Sequence, residues 1–214
     1  MSTATSGGVR PSRVLLTGAT GFVGSAVLRR LLHRNGPGGG TAVDVLVRAV
    51  PRDAGDRPGV RWRTADLTDP RSLDGVVRGA DALIHLASRV SGEEAACTAI
   101  NTLGTRALMA EAHRAGIARV VHLSTTAVYG PGPHRGIGVD EIAQAPVFAA
   151  SRSRLAAEAP ALAAGAVVLR PGLVLGRGDR WGCLPSPNSA TVCRPAGTAA
   201  ADCSLWSAGT TWRG

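Results

Sequence analysis

Residues 13 to 24 read Arg-Val-Leu-Leu-Thr-Gly-Ala-Thr-Gly-Phe-Val-Gly, and this stretch decides the fold. The apolar run from Val14 to Leu16 predicts a short buried strand, and glycines follow it at positions 18, 21 and 24. From Val23 onwards the apolar residues recur at helical spacing. The stretch therefore predicts a strand, a glycine turn and a helix, which is the context in which a glycine motif acquires meaning.

Each glycine of this turn has its own physical role. Gly18 permits a tight turn that a side chain would block, whereas Gly21 lets the main chain approach a diphosphate. Gly24 lets the helix pack closely against the sheet, and the N–H groups and dipole at the helix start favour an anion. An incidental glycine-rich turn is the alternative. In this context the sequence favours a nucleotide cofactor site.

Composition indicates one soluble globular domain. The chain has 214 residues, of which 44% are hydrophobic, and a mean hydropathy of +0.10. These values suit a single domain with a sizeable core. No apolar run approaches the length of a membrane span, and residues 1–12 form a polar, flexible tail without the apolar core of a signal peptide. We therefore expect a cytoplasmic protein. The four cysteines form no CxxC pair, so neither a metal site nor a disulfide framework is expected.

The formal net charge of +9 raises the question of nucleic-acid binding. All the basic residues are arginines, scattered along the chain, as GC-rich coding DNA would produce. Aromatic residues make up only 3% of the chain, which leaves few stacking platforms for bases. We expect no nucleic-acid partner.

Short apolar runs alternate with helical segments, and this alternation predicts a doubly wound α/β fold with a parallel sheet. The glycine-rich stretch at 36–40 separates the first helix from the second strand. The predicted strands are Val14–Thr17, Val43–Val47, Val60–Thr64, Ala82–Leu86, Val120–Ser124 and Val167–Arg170, and the predicted helices are Val23–Arg34, Leu73–Val77, Glu93–Ala115 and Ser151–Ala163.

A series of short motifs accompanies these elements, at residues 17–24, 66–67, 81–87, 101–105, 122–130 and 170–176. In this order the motifs resemble those of the extended short-chain dehydrogenases/reductases, the oxidoreductase group that includes NAD-dependent nucleotide-sugar epimerases, dehydratases and ketoreductases. The resemblance covers about residues 13–180. It implies a Rossmann-like NAD(P)-binding domain over residues 13–181.

The same resemblance implies where the cofactor lies. Main-chain N–H groups at the helix start would bind the diphosphate, an acid after the third strand would accept from the adenine amino group, and small residues after the fourth strand would line the nicotinamide-side ribose. The segment after the sixth strand would shape the nicotinamide pocket. The residues implied are Gly18, Thr20, Gly21, Phe22, Val23 and Gly24 at the turn, Asp66 and Leu67 at the adenine, Leu86, Ala87 and Ser88 at the ribose, and Pro171 to Val174 at the nicotinamide.

The end of the second strand bears on the choice between NAD and NADP. An acid there suits the ribose 2′-hydroxyl of NAD, whereas an arginine suits the 2′-phosphate of NADP. Asp44 falls early in the strand and Arg48 falls at its end. The sequence therefore favours NADP, with NAD as the alternative and a solvated surface arginine as the structural interpretation of Arg48.

The resemblance also implies a catalytic centre, and here the chain departs from the pattern. Thr125 and Asn101 stand where the family has its Ser/Thr and Asn, but the Tyr-x-x-x-Lys pair is missing. In its place we identify Phe148 and Arg152, and we expect Arg152 to supply a cation beside the ribose, or else to be an exposed helix residue. Tyr129, the single tyrosine, is interpreted as a packing residue.

The choice among reactions rests on resemblance as well. Dehydratases of the group carry Asp-Glu directly after the catalytic Thr, whereas this chain has Thr126 and Ala127. The region looks most like the 4-ketoreductases that reduce nucleotide-linked 4-keto-6-deoxysugars in antibiotic biosynthesis. A nucleotide-sugar epimerase is the second interpretation. A non-catalytic dinucleotide-binding protein is the third, because the Tyr/Lys pair is missing.

Beyond residue 181 the periodicity disappears. Family members continue for about another hundred residues that build the substrate lobe, so the resemblance implies that most of this lobe is absent. Out-of-frame translation and truncation both fit this loss. Residues 182–214 are predicted to form an irregular, disordered tail. Family enzymes often dimerise through the two long helices, which allows a homodimer.

Overall fold

The computed structural model describes residues 12–33, 41–52, 54–134, 138–139 and 141–176, and the backbone of 183–186 and 189–193. The chain builds a six-stranded sheet in which all neighbouring strands run parallel. The order β3-β2-β1-β4-β5-β6 reverses direction at β1, which is the position where such sheets bind ligands. The strands are β1 Arg13–Thr17, β2 Ala42–Val47, β3 Val60–Thr64, β4 Ala82–His85, β5 Arg119–Leu123 and β6 Val167–Leu169.

Helices cover both faces of this sheet, because neighbouring strand residues point to opposite faces and both sets are apolar. Leu16 packs in one buried cluster with Leu28, whereas Leu15 packs in the other with Leu108. This arrangement confirms the doubly wound α/β fold. The helices are α1 Phe22–His33, α2 Glu94–Cys97, α3 Thr105–Arg114 and α4 Ala149–Ala163.

The helix predicted at residues 73–77 is wrong. The chain forms a 3₁₀ helix at Pro70–Leu73 and then turns at Gly75 and Gly79, whose φ angles are +67° and +77°. Leu73 and Val77 are nevertheless buried in the core. The apolar spacing that suggested a helix thus reflects burial in a series of tight turns.

The long helix predicted at residues 93–115 is interrupted. It runs from Glu94 to Arg114, but a π-helical stretch at Thr98–Gly104 separates α2 from α3. Gly104 lies against Leu67, where an added Cβ would come within 2.7 Å of the Leu67 carbonyl oxygen. The other predicted elements agree with the structure to within two residues at each end.

The strand β6 forms one edge of the sheet. Val168 packs against the buried cluster beneath α3 and α4, whereas Val167 and Leu169 point to the other face and are 60% and 46% exposed. Within the described residues no strand pairs with the outer edge of β6.

Two short strands near the C-terminus form a second, separate sheet. The backbone of β7 Cys183–Ser186 pairs antiparallel with β8 Ser189–Cys193, so the prediction that 182–214 carry no strand is wrong for these two segments. The rest of that segment lies outside the described residues, as do residues 1–11. Ser12 donates from its hydroxyl to Asp81 at 2.6 Å, which fixes the start of β1.

Two kinds of feature are absent from the described residues. No helix there has the length and apolar character needed to cross a membrane. No group of three or more His, Cys, Asp or Glu side chains is placed to hold a metal ion.

Candidate functional site

The glycine turn after β1 is closed by contacts that leave no room for side chains. Gly18 has a φ of +74°, and a Cβ added there would lie 2.6 Å from the main-chain nitrogen of Ala87. A Cβ on Gly24 would overlap the carbonyl oxygen of Gly18. The N–H of Gly21 donates to that same oxygen at 3.0 Å, and α1 starts at Phe22. The turn therefore presents bare main chain at the start of α1.

A cavity of about 780 Å³ opens beside this turn, at the carboxyl ends of β1, β2 and β4. It brings together nine of the predicted cofactor residues and places the others outside its lining. The predicted residues that line it are Gly18, Thr20, Gly21, Arg48, Asp66, Leu67, Leu86, Ala87 and Ser88, and those that do not are Phe22, Val23, Gly24, Pro171 and Val174.

Asp66 is held by two hydrogen bonds from Thr68, two residues further along the chain. Its Oδ1 accepts from the N–H and the hydroxyl of Thr68, both at 2.8 Å, and these bonds lower the pKa of the carboxyl. Arg48 adds a smaller electrostatic contribution in the same direction. Asp66 Oδ2 has no hydrogen-bond donor within the described part of the chain. This oxygen is available to a ligand amino group.

The two charged residues of β2 have separate environments. Asp44 is fully buried and accepts hydrogen bonds from Arg13 at 2.9 Å, Arg61 at 2.5 Å and Arg63 at 2.7 Å. Burial alone would raise the pKa of Asp44, but the three guanidinium groups hold it below its usual value. Asp44 is thus occupied in the interior, whereas Arg48 is exposed at the cavity.

A buried hydrogen-bond chain holds the loop after β4. Thr17 Oγ1 accepts from the N–H groups of Leu86 and Ala87, both at 3.1 Å, and lies 2.7 Å from His85 Nδ1. Because both acceptor positions of the hydroxyl are used, its proton must go to His85 Nδ1. The other ring nitrogen, Nε2, then carries the proton and donates to Thr105 at 2.9 Å. This chain requires a neutral histidine.

His122 stacks on His85, with ring centroids 5.2 Å apart, and neither of its ring nitrogens has a hydrogen-bond partner among the described residues. Burial lowers the pKa of His122 to about 4 and that of His85 to about 3, from 6.5. Below pH 6.5 the unfolded chain therefore binds protons that the folded chain does not, so the free energy of unfolding falls as the pH falls.

We expect His122→Phe to keep the stacked ring and to remove about half of this acid sensitivity. Between pH 6.5 and 5 each histidine lowers the free energy of unfolding by at most about 1.4 kcal/mol for each unit by which the pH falls. Urea unfolding of both proteins across this range measures the slope, with His113→Phe on the exposed face of α3 as the control. Equal slopes for wild type and His122→Phe would contradict the assignment.

Thr125 is the N-cap of the 3₁₀ helix Thr126–Tyr129. Its hydroxyl oxygen accepts from the N–H of Ala127 at 3.2 Å, which leaves the hydroxyl proton free to donate. The N–H of Thr126 donates to the carbonyl of Pro171 at 3.0 Å and so holds the segment after β6 beside Thr125. Thr125 is half-buried and follows β5.

Asn101 lies in the π-helical stretch and uses its whole amide within the protein. Its Oδ1 accepts from Arg89 N at 2.7 Å, and its Nδ2 donates to Arg89 O and to Ser153 Oγ, both at 2.9 Å. Asn101 is 2% exposed. It therefore positions the loop at the cavity and has no free polar atom for a substrate.

Arg152 does not face the cavity, contrary to the expectation of a cation beside the ribose. It pairs with Glu94 at 3.1 Å on the exposed side of α4 and donates to the carbonyl of Val147. Arg154 instead points to the end of β5, where it donates to the carbonyls of Leu123 at 3.1 Å and Ser124 at 2.5 Å.

Arg154 is the basic residue that the sequence reasoning missed. Its Nε is buried and has no hydrogen-bond partner in the described part of the chain, and burial lowers the pKa of its guanidinium to about 10. The signal was the helical period: Ser151, Glu158 and Ala161 are buried on the sheet side of α4, and position 154 belongs to that stripe whereas 152 does not.

A second buried cluster supports the end of β5. Glu158 accepts from the Ser124 hydroxyl and from Arg170, whose Nη2 lies 2.5 Å from Glu158 Oε2. Arg170 also donates to the Tyr129 hydroxyl at 2.6 Å, and Tyr129 donates to the carbonyl of Val139 at 3.2 Å. Tyr129 is thus held in a structural network, as its interpretation as a packing residue implied.

Known proteins share this fold and these motifs. The chain is 35% identical over 134 residues to dTDP-glucose 4,6-dehydratase of Streptomyces niveus, covering 56% of this chain and 40% of the relative. It is 33% identical over 181 residues to 2-alkyl-3-oxoalkanoate reductase of Stenotrophomonas maltophilia, covering 78% and 52%. The chain thus spans about half the length, or less, of these relatives.

Among solved structures, MoeE5 in complex with UDP-glucuronic acid and NAD is similar, with a TM-score of 0.61 and 28% identity over 73% of this chain and 52% of MoeE5. A family model described as the NAD dependent epimerase/dehydratase family matches residues 14–214. Because that match spans nearly the whole sequence and the fold agrees with it, the chain belongs to the NAD dependent epimerase/dehydratase family.

Proposed function

We propose that the cavity beside the glycine turn binds a nicotinamide dinucleotide, with the diphosphate on the main chain of residues 18–23. The observation that carries this proposal is the turn itself, where a Cβ on Gly18 or Gly24 would meet main-chain atoms. Asp66 Oδ2 is free for the adenine amino group, and Ser88 lines the other side of the cavity. The family description and the NAD bound to MoeE5 support this assignment.

NADP is the proposed form of the cofactor, because Arg48 is exposed at the end of β2 while Asp44 is occupied in the interior. We expect Arg48→Gln to weaken NADPH binding about tenfold or more, because a charge-assisted hydrogen bond contributes about 1.5–3 kcal/mol. The affinity for NADH should change by less than twofold. Fluorescence titration with both cofactors measures this. Equal losses for NADPH and NADH would assign Arg48 to a general electrostatic role instead.

The proposed reaction is reduction of the ketone of a nucleotide-linked 4-keto-6-deoxysugar, as in antibiotic deoxysugar biosynthesis. The bound dinucleotide would supply the hydride. Thr125 would hydrogen-bond the ketone oxygen with its free hydroxyl proton, and Asn101 would hold the loop that lines the cavity. We assign the cationic role to Arg154 rather than Arg152, because Arg154 faces the end of β5. Reduction is favoured over dehydration because Thr126 and Ala127 replace the acidic pair.

A non-catalytic dinucleotide-binding protein is the second candidate. The only tyrosine donates to a backbone carbonyl and accepts from Arg170, and the chain has no lysine. The missing phenol would leave proton transfer to Thr125 or water, because Ser151 is buried and its hydroxyl donates to the carbonyl of Phe148 at 3.0 Å. An epimerase needs the same centre in both directions and is the less favoured catalytic alternative. Dimerisation through α2–α3 and α4 stays a prediction.

Turnover separates these candidates. We expect wild-type protein to bind NADPH and to oxidise it slowly with a 4-keto-6-deoxyhexose nucleotide. Thr125→Val should lower kcat about tenfold, because one hydrogen bond to the ketone is lost, without changing NADPH binding. The measurement is NADPH absorbance over time, after binding has been established by titration. NADPH binding without any oxidation would favour the non-catalytic candidate, and absence of binding would refute both.

A further inference from the structure

The loop after β4 places a second arginine at the cavity. Arg89 lines the cavity together with Ser88 and Ile100, on the opposite side of the glycine turn from Arg48. Arg48 follows β2 and Arg89 comes after β4, and β1 lies between these two strands in the sheet. The two arginines therefore lie on opposite sides of the glycine turn. Arg89 therefore lies on the side that leads to β5 and Thr125.

The backbone of Arg89 is fixed more firmly than a surface loop requires. Both its N–H and its carbonyl are bonded to the Asn101 amide, at 2.7 and 2.9 Å, and Asn101 is braced by Ser153 of α4. The side chain passes over Gly92, where an added Cβ would lie 2.8 Å from Arg89 Nη2. The Asn101 bonds thus hold the Arg89 backbone, and the exposed guanidinium lies beside the main chain of Gly92.

This guanidinium has no anionic partner among the described residues. The nearest acids in sequence are Glu93, which forms no ion pair there, and Glu94, which pairs with Arg152. A guanidinium carries donors arranged in a fork that matches phosphate and carboxylate oxygens. An unpaired guanidinium at a cavity is suited to an oxyanion.

Building on the proposed function, we propose that Arg89 binds an oxyanion of the ligand in the part of the cleft between the glycine turn and Thr125. The chemistry is phosphate or carboxylate. Its source is the cofactor diphosphate, the diphosphate of a sugar nucleotide, or a carboxylate on the sugar.

Calorimetric titration of the full chain with NADPH, UDP-glucose and UDP-glucuronic acid tests this assignment. Arg89→Gln should weaken at least one of these ligands tenfold or more, and Arg89→Lys should recover part of the loss. Arg106→Gln removes the same charge from the exposed face of α3. It should change the affinity for each of the three ligands by less than twofold. Circular dichroism checks that the variants remain folded, as expected when the Asn101 bonds involve only the Arg89 backbone.

The pattern of losses identifies the source of the oxyanion. Weaker NADPH binding indicates the cofactor diphosphate, equal losses for both sugar nucleotides indicate their diphosphate, and a loss for UDP-glucuronic acid alone indicates the carboxylate. If wild type binds NADPH and Arg89→Gln matches Arg106→Gln for every ligand that binds, the assignment of Arg89 is overturned while the cofactor site stands. If wild type binds none of the three, the proposed function and the oxyanion site both fail.

Discussion

Replacing Gly18 with alanine is expected to lower the free energy of unfolding by about 2–5 kcal/mol and to weaken dinucleotide binding about 100-fold. Two costs add at this position. The backbone has a φ of +74°, which costs a non-glycine residue about 1–2 kcal/mol. The new Cβ would also lie 2.6 Å from Ala87 N and 2.7 Å from the carbonyl carbon of Leu86, so main chain must move.

Gly79→Ala is the matched control. Gly79 has a φ of +77°, almost that of Gly18, but an added Cβ there meets no atom within 4 Å. It should therefore show only the backbone cost of about 1–2 kcal/mol, with dinucleotide affinity unchanged. Urea unfolding and NADPH titration of both variants separate the two contributions. Equal affinities for the two variants would show that the turn does not hold the diphosphate.

Arg170→Met is expected to destabilise the fold by about 3–5 kcal/mol, because it leaves Glu158 as a buried carboxylate without its main partner. Glu158 is 3% exposed and accepts from Arg170 Nε at 3.0 Å as well as from Nη2. The pairing raises the pKa of the Arg170 guanidinium further above its usual value, with burial opposing. The substitution also removes the donor to the Tyr129 hydroxyl, so the end of β5 loses two supports at once.

Arg152→Met provides the comparison for an exposed ion pair. Arg152 and Glu94 are 44% and 67% exposed in their side chains, so their pairing should contribute less than about 1 kcal/mol. Chemical unfolding of both variants at neutral pH measures the difference. The double variant Arg170→Met with Glu158→Leu should recover part of the loss, since it removes the unpaired charge. No recovery would attribute the effect to lost packing rather than to the carboxylate.

The order and nature of the central elements could be predicted because each depends on local pattern. The run from Val14 to Leu16 is buried on both faces, so it is apolar throughout and reads clearly as a strand. A side chain at Gly18 or Gly24 would collide with main-chain atoms, so both positions require glycine. The glycines themselves are visible in the sequence. Asp66 lines the cavity because it follows a strand of the parallel sheet, whose strands all end at one edge.

The rest depends on contacts between distant residues, which the pattern does not display. Arg152 and Arg154 are both plausible cations in sequence, and only the packing of α4 on β5 separates them. Asn101 matches a motif position, but its bonds to Arg89, twelve residues away, fix its role. The buried turns around Gly75 show helical spacing because the core selects apolar residues at Leu73 and Val77 whatever the local conformation.

Within the described residues no strand covers the margin of the sheet at β6, and this has a consequence for the behaviour of the chain at high concentration. Free amide and carbonyl groups along a strand can template another strand, and natural proteins guard such margins with charges, proline or covering segments. Here Val167 and Leu169 stand exposed on that strand, and Leu173 and Leu175 are exposed in the segment that follows it. For the part of the chain that the structure describes, this margin therefore predicts self-association of the protein at high concentration.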